Sequence, residues 1–260
     1  MEDVSAMTIA LMATAGLLAG WVDAVVGGGG LIQLPALLLG FPNASPAQLL
    51  ATNKFGSVFG TTTSAITYYR RVRPDLRTAL PMAGVAFAGA AGGAVLGLHI
   101  PKAAFNPIIL VCLLLVGGYT LFKPQLGQVT ALRWTGHRHT AVAMTTGFVI
   151  GGYDGALGPG TGSFLVFALV GLMGYAFLEA SAVAKITNMA TNLGALAVFA
   201  PGGHVMVTVG LVLGLANLTG GYLGARTAVR LGSRFVRAVF VIVVSAFIVR
   251  ISLQLLGIWS

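Results

Sequence analysis

From Val4 to Tyr69 the chain carries only two charged side chains, Asp23 and Lys54. A helix needs about 20 mostly apolar residues to span a bilayer, and runs of that kind recur along the whole chain. Composition agrees. Of the 260 residues, 57% are apolar and only 8% charged, against about 25% charged in an ordinary soluble domain. So few charges do not cover the surface of a soluble sphere of this size. The same figures exclude a disordered chain, a coiled coil, a collagen and a disulfide scaffold. The 37 glycines suit membrane helices, where glycine is more frequent than in soluble ones. The fold class expected is an all-α polytopic membrane protein. A net charge of +9 does not point to nucleic acid, because the arginines sit in short loops between apolar runs, as topology signals do.

The runs divide as follows. Val4–Val22 is uncharged and ends at Asp23. Ala24–Asn53 is uncharged but broken by four glycines and by Pro42 to Pro46. Lys54 follows, then Phe55–Tyr69. Thr78–Ile100 and Ala103–Phe122 are plain spans turned at Pro101-Lys102. After Lys123–His139 the pattern restarts with Thr140–Tyr153, Asp154 and Gly155–Leu178, then Glu179 and Lys185. Ile186–Ala225 turns at Pro201-Gly202-Gly203-His204, and a last helix covers about Ala238 to Leu256. Glu2 and Asp3 precede the first run with no basic residue, so that run is expected to remain as a helix rather than serve as a cleaved signal. The lone Cys112 reads as inert packing.

The halves repeat. A shift of 131 residues places Gly16 on Gly147, Gly20 on Gly151, Asp23 on Asp154, Gly27 on Gly158, Gly29 on Gly160, Gly40 on Gly171, Ala51 on Ala182 and Lys54 on Lys185, without a gap. Small residues coincide easily in a glycine-rich chain; two rare intramembrane charges do not. The domains expected are a first repeat at 1–122, a cytoplasmic linker at 123–139 and a second repeat at 140–260. Each repeat has about five hydrophobic segments. Those near Leu31–Phe41 and Thr161–Gly174 are short for full spans, giving about eight spans plus two short or re-entrant segments.

Charge bias orients the halves. Arg70, Arg71, Arg73 and Arg77 crowd one loop, whose counterpart at Pro201–His204 has no lysine or arginine. The turn at Pro101-Lys102 is nearly neutral, while its counterpart loop holds Arg226, Arg230, Arg234 and Arg237. By the positive-inside rule the repeats run in opposite directions, with the linker cytoplasmic and both termini external. Inverted repeats are a signature of secondary transporters.

Two glycine-rich breaks occupy equivalent places: Gly27, Gly28, Gly29 and Gly30 in one half, and Gly158, Gly160, Thr161 and Gly162 around Pro159 in the other. Each follows an Asp and precedes an apolar segment. A helix that starts just past such a break presents free N–H groups and its positive dipole end, a ready anion site. Close helix packing is the alternative use of the glycines. Lys54 and Lys185 each begin a polar stripe at helical spacing: Lys54, Ser57, Thr61, Ser64, and Lys185, Asn188, Asn192. Asn53 adds a donor in the first half only. A lysine costs about 3 kcal/mol at the centre of an inserted helix, so it faces protein or water. Two readings stand: substrate binding by both lysines, or structural ion pairs, Asp23 with Lys54 and Asp154 with Lys185. A pair broken by an arriving substrate or proton would be a gate, which makes Asp23 and Asp154 the candidates for proton coupling or gating.

Other residues carry less. Glu179 suits the start of its helix. Tyr153 beside Asp154 is expected to pack. His99, His137, His139 and His204 fall at loops or segment ends without metal-ligand spacing, and His137–His139 reads as a solvated loop. Arg250 is expected to snorkel outward. No cofactor and no nucleophile–base set is expected, and Gly160-Thr161-Gly162-Ser163 is not a nucleophile elbow.

The segments Ala19–Leu31 and Leu34–Leu38, with Ala51-Thr52-Asn53-Lys54, resemble the first signature of the TauE/SafE sulfite-exporter-like permeases. Tyr153–Phe164 and Ala184-Lys185-Ile186-Thr187-Asn188 are similar to the YfcA-like branch of that family, and the likeness extends to Gly220–Arg226. The Gly-Pro-Gly-Thr-Gly break departs from the Gly-x-Gly-Gly-Gly form common elsewhere in the family. The resemblance implies a multispanning transporter of the bacterial cytoplasmic membrane. It further implies sulfur-containing anions such as sulfite and organosulfonates as substrates, and a proton gradient as driving force. Together with the residues, it leads to a small-anion secondary transporter, with the lipid bilayer, the anion and protons as its partners. A channel or passive facilitator on the same fold, and a non-transporting scaffold or sensor, are the rival expectations.

Overall fold

In the computed structural model, residues 6–99, 111 and 127–255 are described. Glu2, Asp3, the turn at Pro101-Lys102, the span expected at Ala103–Phe122, Cys112 and Lys123 lie outside them, as does the side chain of Arg250.

The described residues form helices and no strand. In chain order they are α1 (Ala6–Val26), α2 (Gly30–Gly40), α3 (Pro46–Val72), α4 (Leu76–Gly97), α5 (Gly136–Ala156), α6 (Thr161–Ala168, continuing as a wider turn over Leu169–Met173), α7 (Phe177–Phe199) and α8 (Val207–Leu255). Local chemistry sets the ends. Ser45 caps α3 by accepting from the Gln48 N–H while the Gln48 side chain accepts from the Ser45 N–H, with Pro46 at the first helical position. The helix stops at Arg73, which takes a left-handed conformation (φ 53°) just before Pro74. Asp75 then caps α4 through the Arg77 N–H.

The starts of α2, α3 and α4 at residues 30, 46 and 76 are followed 131 residues later by the starts of α6, α7 and α8 at 161, 177 and 207. Packing between the halves is reciprocal. α1 lies on α8 while its counterpart α5 lies on α4; α3 lies on α8 while its counterpart α7 lies on α4. The expected short segments are α2, with 11 residues, and α6.

Two elements differ from expectation. The arginine loop of the second half is shorter than expected: α8 is two helices that meet at a kink at Gly232 (φ 76°), with Arg226 and Arg230 on the first and Arg234 and Arg237 on the second. Arginine is a good helix former, and Gly232 is the one breaker between Ala225 and Ala238. His139 is not in a solvated loop. It is buried in the first turn of α5, where Nε2 lies 3.1 Å from Thr78 Oγ1 and 3.0 Å from Tyr175 Oη. The linker therefore gives its last residues, from Gly136, to a helix.

Polarity is arranged inside out. Large apolar side chains such as Leu39, Phe148, Val149, Leu215 and Ile242 are exposed, while Gln33, Asn53, Lys54, Asp154, Lys185 and Asn192 are buried. α1 and α4 are each long and apolar enough to cross a bilayer. An apolar rim around a polar interior suits contact with lipid.

Candidate functional site

The site begins where the two glycine breaks interlock. α1 ends as Gly27 turns into positive φ (86°), and α5 ends into Gly158 (89°) and Gly160 (82°). The Ser163 N–H donates to the Gly27 carbonyl at 3.0 Å, and its hydroxyl to the Val26 carbonyl at 2.9 Å. A Cβ on Gly27 would lie 2.1 Å from the Gly162 carbonyl carbon. Glycine is thus required at Gly27 both by its dihedral and by the approach of the opposite backbone.

Between the breaks lies a small cavity with about 20 Å³ of free space, room for about one water. Gly27, Gly30, Gly158, Gly160 and Gly162 give it backbone walls. Asp23 and Asp154 enter at the ends of α1 and α5. α3 contributes Asn53, Lys54 and Ser57, α6 contributes Thr161, and α7 contributes Asn188 and Asn192. The starts of α2 and α6 both border it, and neither helix has a side-chain cap, so both positive dipole ends face one space.

Three expected residues stand back from the cavity: Gly28, Gly29 and Lys185. The Gly29 N–H donates to Asp23 Oδ1 at 3.3 Å, and Lys185 Nζ donates to Asp23 Oδ2 at 2.8 Å. Lys54 Nζ lies 2.5 Å from Asp154 Oδ1, which also accepts from the Thr161 hydroxyl at 2.5 Å. The ion pairs therefore cross between the halves, Asp23 with Lys185 and Asp154 with Lys54, which corrects the expected pairing within each half. The reason is the interlock, which turns each carboxylate toward the other half's lysine-bearing helix. Both lysines are buried, and a buried cation is tolerated only when paired.

The polar stripe of α3 splits in use. Lys54 and Ser57 face the cavity, while Thr61 bonds the Ser57 carbonyl and Ser64 the Gly221 carbonyl of α8. On α7, the Thr191 hydroxyl donates to Asn188 Oδ1 at 3.2 Å and steadies that amide. Tyr153 packs as expected: its ring meets Phe164 edge-on and its hydroxyl donates to the Pro159 carbonyl at 2.7 Å, bracing the second break. Glu179, in the first turn of α7, accepts from Thr130 at 2.6 Å, away from the site.

One contributor escapes the sequence reading. Gln33 is fully buried on α2 and its Oε1 accepts from the Ser57 hydroxyl at 3.1 Å. A lone amide among Leu31, Ile32 and Leu34 was the available signal. Chemically, the site offers backbone groups, hydroxyls, amides and an ammonium around a space that here admits about one water. With two lysines and two aspartates, its formal charge is balanced.

A sequence model of the family described as sulfite exporter TauE/SafE matches residues 12–251. A "Probable membrane transporter protein ORF9" of a Sinorhizobium species is 37% identical over 96% of this chain and 95% of its own length. A "Probable membrane transporter protein" of Haemophilus influenzae is 34% identical over 92% of each chain. The "Probable membrane transporter protein YfcA" of Escherichia coli K12 is 32% identical, covering 92% of this chain and 88% of its own. No solved structure matches the chain.

Proposed function

The chain belongs to the sulfite exporter TauE/SafE family, and from that premise we propose that it carries a small anion across the bacterial cytoplasmic membrane as a proton-coupled secondary transporter. The observation that carries the reading is the meeting of both glycine breaks, both short-helix N-termini and Lys54 around one polar cavity. Two positive dipole ends and an ammonium facing one space favour an anion. The substrate is sulfite or an organosulfonate: the family description names sulfite export, and hydroxyls and amides at Ser57, Thr161, Asn188 and Asn192 suit an oxyanion.

Alternating access supplies the mechanism. The opposed arginine bias, the 131-residue offset of helix starts and the reciprocal packing support two inverted halves that rock about the shared site. In this conformation the cavity admits about one water, which favours a carrier with a narrow site over an open pore. The linker lies in the cytoplasm and both termini outside.

Reconstituted vesicles test the reading. Labelled sulfite and methanesulfonate should exchange saturably against unlabelled anion, whereas an ohmic, unsaturable flux contradicts a carrier. Asn188→Ala and Asn192→Ala should each raise the half-saturating concentration about tenfold, the worth of one hydrogen bond to a charged group. Wild-type half-saturation in both variants would remove these amides from the binding site.

A further inference from the structure

The two ion pairs occupy equivalent places in the repeat, yet they are not equivalent in the structure. Asp23 has both carboxylate oxygens engaged, Oδ1 by the Gly29 N–H at 3.3 Å and Oδ2 by Lys185 at 2.8 Å. Its lysine is fully buried and does not border the cavity. Asp154 is different. Both of its donors, Lys54 and Thr161, converge on Oδ1, and Oδ2 has no hydrogen-bond partner among the described residues. The residue is 1% exposed, and both it and its lysine border the cavity. A buried carboxylate oxygen without a donor is costly in a fixed structure.

Resting on the transport reading above, we propose that the pairs divide the labour. Asp154 alone carries the coupling proton, Asp23–Lys185 is a permanent tie between the halves, and transport is an electroneutral symport of one proton with one monovalent anion. The charges fix the stoichiometry. With both pairs intact the site is neutral. A proton on Asp154 Oδ2 converts the carboxylate to the neutral acid and leaves the Lys54 ammonium without a counterion. One monoanion then takes the carboxylate's place beside Lys54 and restores neutrality. When the proton leaves Asp154, the carboxylate recaptures Lys54 and the anion is displaced. Outside the Asp154–Lys54 pair itself, the titratable group facing this cavity among the described residues is Asp23 from α1, held by Lys185 from α7. α4 and α6 contribute no charged side chain to the cavity.

Methanesulfonate is the probe, because it stays a monoanion and any coupled proton must ride on the protein. Exchange at equal pH on both sides reports transport itself; its absence in the wild type would overturn the transport reading and this inference with it. The steady-state accumulation ratio across a pH gradient reports coupling and does not depend on rate. One proton per anion gives about a tenfold ratio per pH unit, and two give about a hundredfold. The wild type should show the tenfold ratio, unchanged when valinomycin and potassium clamp the membrane potential at different values. A ratio that follows the potential, or that stays at unity while exchange proceeds, overturns the inference and leaves the transport reading standing. Asp154→Asn should bring the ratio to unity, and Asp154→Glu should restore it. Asp23→Asn should keep the wild-type ratio in whatever protein folds while lowering thermal stability. A pH-driven ratio surviving in Asp154→Asn, or lost in folded Asp23→Asn, assigns the proton elsewhere. The potential-clamp result decides the stoichiometry even if every variant misfolds.

Discussion

Lys54→Met is expected to lower anion uptake per folded transporter by about 100-fold, equivalent to about 3 kcal/mol of lost interaction. Lys54 is the lysine that borders the cavity, and it is buried against Asp154 at 2.5 Å. Removing it subtracts the cation that meets the anion and strands a buried carboxylate. Breaking one side of a buried pair costs about 3–5 kcal/mol, so folded yield should also fall. Lys54→Met/Asp154→Asn separates the two effects. The double variant removes the stranded charge and should recover most of the thermal stability, yet uptake should stay at the single variant's level. Uptake that recovers along with stability would make Lys54 a structural residue and refute its binding role.

The second large effect is at the interlock. Gly27→Ala places a methyl group 2.1 Å from the Gly162 carbonyl carbon, at a φ of 86° that side chains avoid. The left-handed conformation and the overlap together should cost on the order of 3 kcal/mol or more, seen as lost folded protein in detergent. Gly30→Ala is the informative contrast. Its methyl would meet nothing nearer than Pro159 Cα at 3.5 Å, so the helices keep their places. It does project beside a cavity of about 20 Å³, and one extra carbon at a fitted site is worth about 1–3 kcal/mol of discrimination. Gly30→Ala should therefore fold normally and raise the half-saturating concentration roughly tenfold or more. A Gly30→Ala protein with unchanged half-saturation would place the anion elsewhere.

Much of the site was legible because charge is rare in this chain. Asp23, Lys54, Asp154 and Lys185 stand out against apolar runs, and the shift of 131 residues pairs them by position. Helical spacing from each lysine reached Ser57, Asn188 and Asn192, and the structure brings all three to the cavity. The partner of each charge was not legible. Either lysine could pair with either aspartate, and nearness in sequence favours the one on the same side of the linker. The cross-pairing follows from tertiary contacts at the interlock, such as the Ser163 N–H on the Gly27 carbonyl and its hydroxyl on the Val26 carbonyl.

Two other differences have the same origin, in that local signals were overruled by packing. The arginines at 226, 230, 234 and 237 marked a loop by charge, but arginine also lengthens helices, and the loop shrinks to the kink at Gly232 inside α8. Arg226 settles on that helix by donating to the Tyr222 hydroxyl one turn earlier, at 3.0 Å. His139 sat between polar neighbours in sequence, yet α5 starts at Gly136 and directs it toward Thr78 and Tyr175. Gln33 had no counterpart in the second half, since position 164 is Phe, so the repeat gave no reason to single it out.

The anion is expected to sit between the two glycine breaks. Anomalous diffraction from crystals soaked with selenite, a heavier likeness of sulfite, tests it directly. A selenium peak is expected in the cavity between Gly27 and Gly158, with an oxygen within hydrogen-bond distance of Lys54 Nζ. A peak confined to the separate pocket around Phe41, Asn43 and Met206, in protein that exchanges selenite in vesicles, would contradict it.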